Sequence, residues 1–265
     1  MVVVRNYLTI VITSRFSKLK HTAVVLLGNE ECANSWILPY MRSHGGQVDV
    51  AFIVYDSPLV DNKQFYQWPL GVATYRNFPD FSHPTNIDLI SPRSHLCNFL
   101  GTVYTNSSRQ VLMKVLESPP LQDECIVRGR SVWVPLETQE SLNNYINSLQ
   151  KSDLTLNPVG KNTECYRIYE AFSLGSIPVV EDVVTPGGCD NRSKTTPLRL
   201  LKQHNAPMIL IKNWADLPGL LKQQSQLSLA EKVDRRVAAV KWYADFKRKM
   251  KAEFIRILLE VFLSS

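Results

Sequence analysis

The chain has 265 residues, of which 45% are hydrophobic and 20% charged, and its formal net charge is +6. At roughly 150 residues per domain, this length predicts two compact domains or one large one. The composition is too apolar for an intrinsically disordered chain, and no run approaches the roughly 20 apolar residues of a membrane span. The positive charge favours acidic ligands without selecting among nucleic acids, anionic lipids and phosphorylated small molecules.

The opening of the chain, residues 1–13, is apolar but lacks the small-residue cleavage site of a signal peptide. We interpret it as a clipped domain edge, with a degenerate signal segment as the alternative. The cysteines form no CxxC or cysteine–histidine cluster, which argues against structural zinc. Because there are five of them, at least one thiol is unpaired within the chain.

Short apolar runs alternate with segments of helical periodicity, a pattern typical of parallel sheets with crossover helices. The predicted strands are residues 23–27, 48–55, 96–100, 154–156, 177–180 and 208–211. Residues 68–92 carry four prolines and little periodicity, which predicts an interdomain linker and a domain boundary near residue 90.

The C-terminal part, residues 227–265, has apolar residues spaced by three, four or seven, which predicts one long amphipathic helix. Its lysines and arginines are interpreted as a solvated face, with contact to nucleic acid or membrane as the alternative. The sequence therefore predicts an N-terminal lobe with its linker at 1–90, a C-terminal lobe at 91–226 and a final helix at 227–265.

The segment LTLNPVGKNTECYRIYEAFSLGSIPVVED, residues 154–182, is the most informative part of the chain. It predicts a strand, a turn through Gly160, and a helix that begins near Asn162 or Thr163, either of which is a good N-cap residue. Free amides and the helix dipole at such a terminus bind anions, and Lys161 adds a positive charge.

One face of this predicted helix is polar, because Thr163, Arg167 and Glu170 are spaced i, i+4 and i+7. From residue 162 to residue 170 the helix rises about 12 Å, which matches the reach from a diphosphate to the hydroxyls of its ribose. The face therefore suits a nucleotide. An exposed ion pair between Arg167 and Glu170 is the alternative interpretation.

A second glycine turn follows the predicted strand at 96–100, where Gly101 precedes a helix that begins at Asn106 or Ser107. Ser107 and Gln110 have the spacing of a capping box. Arg109 lies in the first turn of that helix. The alternative here is an ordinary strand-to-helix connection with a surface arginine.

The glycine turn, the small hydroxyl residue, the arginine, Glu-Ala and Gly-Ser-Ile-Pro-Val-Val of residues 154–182 together resemble the donor-binding segment of exostosin-type glycosyltransferases. The segments TAVVLLGNEEC, YDSPLV, QWPLGVATYRNFP and LCNFLGTVYTNSSRQVLM are similar to the same family, from about residue 21 to the final helix. The resemblance implies a metal-independent α/β fold of the GT-B type with two Rossmann-like lobes. It also implies that the N-terminal lobe is incomplete, because the anchor, the stem and the front of that lobe are missing.

Within this family, the resemblance is to members that transfer xylose with inversion from UDP-xylose to ribitol 5-phosphate on the O-mannosyl glycan of α-dystroglycan. It implies a Golgi lumenal domain of a type II membrane protein. It is also compatible with a complex with other Golgi glycosyltransferases. UDP-xylose is a co-substrate, and no metal is expected because the chain has no Asp-x-Asp motif. No nucleic-acid partner is expected, because zinc-finger, RNP and basic-zipper patterns are absent from the sequence.

Two alternatives stay open at this point. The first is another exostosin-type transferase that uses a different UDP-sugar. The second is a catalytically silent fragment that binds a UDP-sugar, which is motivated by the incomplete N-terminal lobe.

The resemblance, together with the two glycine turns, assigns donor binding to a group of residues in the predicted C-terminal lobe. They are Gly101, Arg109, Gly160, Lys161, Asn162, Thr163, Arg167, Glu170 and Glu181. By resemblance, Thr163 and Arg167 contact the diphosphate and Glu170 contacts the ribose hydroxyls. Many relatives have Pro-Arg-Gly where this chain has Pro-Val-Gly, and Lys161 is the candidate substitute for that missing arginine.

The candidate general base is Asp56, because it follows a predicted strand and parallel sheets place ligands beyond the carboxyl ends of their strands. The alternatives are that Asp56 only forms a turn with an Asx cap, or that the base lies outside this chain. Two glycosylation sequons are present, at Asn106 and Asn191. We favour Asn191 as the occupied one, because a glycan on Asn106 would crowd the donor cleft.

Overall fold

The computed structural model describes residues 2–4, 19–81, 87–119, 121–136, 138–185, 189 and 197–263. The chain divides into two compact units, each of which is discontinuous in sequence. The first unit comprises Met1–Leu70, Val184–His204 and Phe246–Ser265, and the second comprises Gly71–Val183 and Asn205–Asp245. The contacts therefore place the division of the chain at residues 70–71, where the sequence predicted a boundary near residue 90, and they divide the final helix between the units.

The first unit contains a four-stranded parallel sheet in the order β1-β2-β3-β4. The strands are β1 (Val2–Val4), β2 (Ala23–Leu26), β3 (Val50–Val54) and β4 (Phe65–Trp68). The sequence predicted β2 and β3 because they are continuous apolar runs. It missed β4, which is short, half polar and adjacent to the proline-rich stretch.

The faces of this sheet are covered by different elements. Ile37 of the 3-10 helix Ser35–Tyr40 is buried against one set of sheet residues, as is Met41, which lies between that helix and the 3-10 helix Arg42–His44. Ile257 and Phe254, from the end of the final helix, pack with Phe52 of β3. The short helix α5 (Arg199–Gln203) also belongs to this unit, and a disulfide between Cys32 and Cys189 ties its segment to the loop after β2.

The second unit contains a five-stranded parallel sheet in the order β6-β5-β7-β8-β9. Its strands are β5 (His95–Thr102), β6 (Cys125–Arg130), β7 (Ser152–Asn157), β8 (Ile177–Glu181) and β9 (Ile209–Ile211). Its helices are α1 (Ser108–Leu116), α2 (Leu121–Glu124), α3 (Gln139–Gln150), α4 (Tyr166–Ser173) and α6 (Leu217–Ser225). The sequence missed β6, whose second half is Arg-Gly-Arg and interrupts the apolar run.

The proline-rich stretch contributes to the core of the second unit. Phe78 and Ile87 are buried in a cluster with Leu142, Leu149 and Ala171. Burying such side chains stabilises a domain by roughly 1.5–3 kcal/mol each, so Phe78 and Ile87 attach the stretch to this unit.

The final helix, α7 (Leu229–Leu263), is a single helix of 35 residues. The predictions of an α/β protein with two parallel sheets and of a long C-terminal helix are therefore confirmed. None of the helices that the structure describes has the length and apolar character needed to cross a membrane.

The cysteines of the second unit confirm the odd-count prediction. Cys97 of β5 and Cys125 of β6 are register partners in the sheet and form a disulfide. Cys165 is a free thiol.

A buried ion pair fixes α7 to the sheet of the second unit. The side chain of Arg236 is 1% exposed, and its Nη2 donates to Oδ1 of Asp153 at 2.6 Å. Its Nη1 donates to the carbonyl oxygens of Leu89 and Ser91. One guanidinium thus joins α7, β7 and the loop that leads into β5.

We expect Arg236→Met to lower the free energy of unfolding by about 3–5 kcal/mol, because it leaves the buried Asp153 carboxylate without its main partner. Arg256→Met on the same helix is the matched control, because Arg256 is half exposed and its ion-pair partners among the described residues are Glu253 and Glu260 of that helix. Its effect should stay within about 1 kcal/mol. Urea unfolding measures both variants, and equal losses would contradict the assignment.

Candidate functional site

The loop between β7 and α4 differs from the sequence prediction. The helix begins at Tyr166, with Cys165 at the N-cap, and not near Asn162 or Thr163. The side chain of Asn162 accepts the amide of Glu164 at 2.9 Å, and the hydroxyl of Thr163 donates to the carbonyl oxygen of Val183 at 2.6 Å. The predicted helix start was wrong because both residues stabilise the turn that precedes the helix.

Arg167 lies in the first turn of α4 and reaches across to β5. Its Nη2 donates to the carbonyl oxygen of Leu100 at 2.9 Å, and its guanidinium lies 5.2 Å from the ring centre of Phe99. Its Nε and Nη1 are buried and have no hydrogen-bond partner in the part of the chain that the structure describes. A Cβ on Gly101 would lie 2.8 Å from Nη2. The guanidinium of Arg167 therefore fits here because residue 101 has no side chain.

Arg109 lies in the first turn of α1 and has the reciprocal arrangement. Its Nη1 donates to the carbonyl oxygen of Thr102 at 2.8 Å. A Cβ on Gly160, in the turn after β7, would lie 2.6 Å from its Nη2. Gly101, which lies inside β5 and not in the turn that the sequence predicted, therefore receives the arginine that follows β7, and Gly160 receives the arginine that follows β5.

The two arginines lie at the carboxyl ends of β5 and β7, which pair in the sheet. The Cys165 thiol is close to both of them. Burial raises the pKa of Cys165, and the positive charges of Arg167 and Arg109 oppose that rise. The sequence-predicted residues Gly101, Arg109, Gly160 and Arg167 are thus brought together as a compact group that can bind an anion.

The start of α1 confirms the predicted capping box. The hydroxyl of Ser107 accepts the amide of Gln110, and the side chain of Gln110 accepts the amide of Asn106. Asn106 is exposed and has a φ of 56°. The other sequon residue, Asn191, lies outside the described residues.

Glu170 is buried, with 4% of its surface exposed, so the interpretation of an exposed ion pair is wrong. Its Oε2 accepts the hydroxyl of Tyr145 at 2.5 Å, and its Oε1 accepts the amide of Ala73 at 3.1 Å. Burial raises the pKa of Glu170. The hydrogen bonds from Tyr145 and Ala73, followed by the charges of Arg167 and Arg76, oppose that rise.

Glu181 ends β8 and joins three elements through one oxygen atom. Its Oε2 accepts the hydroxyl of Ser108, the amide of Val159 at 2.9 Å and the indole N–H of Trp214 at 3.0 Å. It therefore positions α1 and the turn before Gly160. Lys161, in the same turn, is exposed.

Asp56 belongs to the first unit, whereas the nine predicted donor-binding residues belong to the second. It follows β3 and Tyr55, whose φ is 72°. Its Oδ1 lies 2.8 Å from Nη2 of Arg199, the first residue of α5. This ion pair lies beyond the carboxyl end of β3.

Sequence reasoning missed Tyr145, Ser108 and Trp214, which hold the two buried glutamates. Tyr145 and Trp214 belong to no motif, Ser108 belongs only to the sequon at Asn106, and each of the three is 25 to 73 residues away in sequence from the glutamate that it contacts. No local pattern in the sequence indicates such contacts.

We expect Gly101→Ala and Gly160→Ala to weaken UDP binding about tenfold, because the new methyl group displaces the adjacent guanidinium. The fold should persist, since both contacts are with the flexible end of an arginine. Gly219→Ala in α6 is the matched control, because nothing lies within 4 Å of a Cβ there. Titration calorimetry with UDP measures the three variants, and unchanged affinity in the first two would refute the arrangement.

We expect the contribution of Glu170 to the stability of the chain to fall as pH rises from about 4 toward its raised pKa. In that window this carboxyl group binds more protons in the native state than in the unfolded state, so it contributes a negative slope of unfolding free energy against pH. Glu170→Gln removes this contribution. Tyr145→Phe extends the negative slope to higher pH, because the charged carboxylate loses a hydrogen-bond donor and the pKa of Glu170 rises further. Urea unfolding across this pH range measures the slopes, and identical slopes for Glu170→Gln and the wild type would contradict the expectation.

Comparisons with known proteins match most of the chain. A family model described as the RXYLT1 N-terminal domain matches residues 3–69, and one described as the RXYLT1 C-terminal domain matches residues 75–263. The chain is 53% identical over 251 residues to ribitol-5-phosphate xylosyltransferase 1 of Homo sapiens, covering 94% of this chain and 56% of that protein. It is 50% identical over 246 residues to the Danio rerio protein of the same name, covering 92% and 56%.

The chain spans about half the length of the curated relatives it matches. Among solved structures, a UDP-forming α,α-trehalose-phosphate synthase from Burkholderia vietnamiensis aligns with a TM-score of 0.38 and 10% identity, over 87% of this chain and 59% of that one. A TM-score this low supports no conclusion about the chain. The family models and the relatives at 50–53% identity agree with each other, and from them we conclude that the chain belongs to the RXYLT1 family.

Proposed function

We propose that the chain is the donor-binding and catalytic part of an inverting glycosyltransferase that moves xylose from UDP-xylose to ribitol 5-phosphate. The observation that carries this proposal is the pair of arginines that lie against glycines, because two buried nitrogen atoms of Arg167 have no hydrogen-bond partner among the described residues. A buried donor without a hydrogen-bond partner destabilises the folded chain. A bound diphosphate removes that penalty by accepting the missing hydrogen bonds. The names of the curated relatives support the choice of xylose and of ribitol 5-phosphate.

The donor lies along the carboxyl ends of β5 and β7 in this proposal. Arg167 and Arg109 bind the diphosphate through charge-assisted hydrogen bonds, with Thr163, Asn162 and Lys161 in the adjacent turn. Glu170 contacts the ribose hydroxyls, for which each of its oxygens has a remaining lone pair beside the bonds from Tyr145 and Ala73. Glu181 keeps the turn at Gly160 in place.

The reaction is a displacement at the anomeric carbon of xylose. Asp56 takes the proton of the acceptor hydroxyl, the oxygen attacks the anomeric carbon, and the bond to the diphosphate breaks with inversion. The arginine charges stabilise the negative charge that develops on the departing UDP. The ion pair with Arg199 orients the Asp56 carboxylate for this step.

In this proposal the acceptor is carried by the O-mannosyl glycan of α-dystroglycan, and the enzyme works in the Golgi lumen as part of a type II membrane protein. The two disulfides fit an oxidising compartment. A glycan on Asn191, rather than on Asn106, leaves the strand-to-helix connection that carries Arg109 uncovered. A complex with other Golgi glycosyltransferases belongs to the same proposal.

The test is a transfer assay with UDP-xylose, UDP-N-acetylglucosamine and UDP-glucuronic acid against a glycan that ends in ribitol 5-phosphate. We expect transfer of xylose alone. Arg167→Ala and Asp56→Asn should each lower kcat/KM by about 100-fold or more, since each removes a group that acts on the transition state.

Arg248→Ala, an exposed residue of α7, is the control and should leave transfer unchanged. Transfer of another sugar would contradict the donor assignment. If the chain binds UDP but transfers no sugar, it is a donor-binding fragment. If Arg167→Ala keeps both UDP binding and transfer, the site is refuted.

A further inference from the structure

The first unit contains a cavity of about 640 Å³ that is partly open to solvent. Residues of β3, β4, α5 and the end of α7 line it, and all of them belong to that unit. Cavities of about 300–1,000 Å³ are the usual size for small-molecule sites. Nothing in the donor site described above uses it.

One wall of the cavity is a cluster of four aromatic rings. Phe254 of α7 lies 4.5 Å from Phe52 and 5.1 Å from Trp68, measured between ring centres. Tyr66 lies 5.8 Å from Phe52. The negative face of an aromatic ring attracts positively polarised C–H groups, which a polyol or sugar presents along its whole length.

The polar part of the lining is rich in amides. Asn62, Gln67 and Gln203 each offer a carbonyl oxygen and an NH₂ group, which together match the donor and acceptor character of hydroxyls. The Nε2 atom of Gln67 is buried and has no hydrogen-bond partner among the described residues. Aromatic faces combined with amides suit a polyhydroxylated ligand better than a purely apolar one.

The charges of the lining favour an anionic group on that ligand. Arg199 pairs with Asp56 at 2.8 Å, and Arg256 pairs with Glu253 at 2.5 Å. Lys249 lines the cavity and forms no ion pair with any residue that the structure describes. His204 is also in the lining, and burial followed by the charge of Lys249 lowers its pKa. Lys249 is therefore the cation whose charge a phosphate can neutralise.

We propose that this cavity binds the phosphorylated polyol that accepts the sugar, with its carbon chain against the aromatic rings and its phosphate on Lys249. The inference rests on the proposed function, because that function supplies the acceptor's identity. Arg199 lines the cavity and contacts Asp56, so the cavity adjoins the carboxylate proposed to deprotonate the acceptor hydroxyl. The acceptor site and the base thus share one side chain.

The test is titration calorimetry of the chain with ribitol 5-phosphate, with ribitol and inorganic phosphate as comparison ligands. Lys249→Gln should weaken ribitol 5-phosphate binding about tenfold. Ala252→Trp should abolish it, because Ala252 is an exposed residue of the lining and the indole fills the cavity without disturbing the core. Lys251→Gln and Ala238→Trp are the matched controls, being exposed residues of the same helix outside the lining, and should bind as the wild type does.

Equal binding by all four variants, or no binding by the wild type, overturns the inference. Binding of inorganic phosphate as tight as that of ribitol 5-phosphate overturns the polyol part of it. UDP binding is measured on the same samples and should be unchanged in every variant. Failure of the cavity therefore leaves the donor site and xylose transfer intact, whereas a chain that binds ribitol 5-phosphate but transfers nothing contradicts the proposed function alone.

Discussion

Two guanidinium groups lie against glycine backbone at the carboxyl ends of paired parallel strands, and the anion-binding geometry of the second unit depends on this exchange. Gly101 makes room for Arg167, and Gly160 makes room for Arg109. Both arginines also donate to carbonyl oxygens near the end of β5, Arg167 to that of Leu100 and Arg109 to that of Thr102. The pair is rigid before any ligand arrives, so binding an anion costs little ordering of these side chains.

Buried carboxylates supply the framework around that pair. Glu181 holds α1, the turn before Gly160 and Trp214 through one oxygen atom, and Asp153 receives Arg236 from α7. Burial raises the pKa of Glu170, and among the described residues its carboxylate accepts hydrogen bonds from the Tyr145 hydroxyl and the Ala73 amide. We interpret Glu181 and Asp153 as structural, because their carboxylates join several elements. Each oxygen of Glu170 keeps a lone pair that a ligand can use.

In the first unit, the candidate base and the cavity share one residue, Arg199. Arg199 orients Asp56 beyond the end of β3 and also lines the aromatic and amide-rich cavity beside α7. The disulfide between Cys32 and Cys189 ties the segment that leads to α5 to the N-terminal sheet. The unit that carries the candidate base thus also carries a cavity suited to a phosphorylated polyol, while the arginines proposed to bind the diphosphate belong to the other unit.

The sequence by itself determined the α/β class, most strands, the capping box at Ser107 and the four residues of the glycine and arginine pairs. These features are local, because apolar runs, glycine turns and cap spacings act over a few residues. The sequence misplaced the start of α4, because Thr163 bonds to Val183, 20 residues away. Only the tertiary structure decided the partners of Glu170, Glu181 and Asp56, because a buried carboxylate takes its donors from whichever elements pack against it.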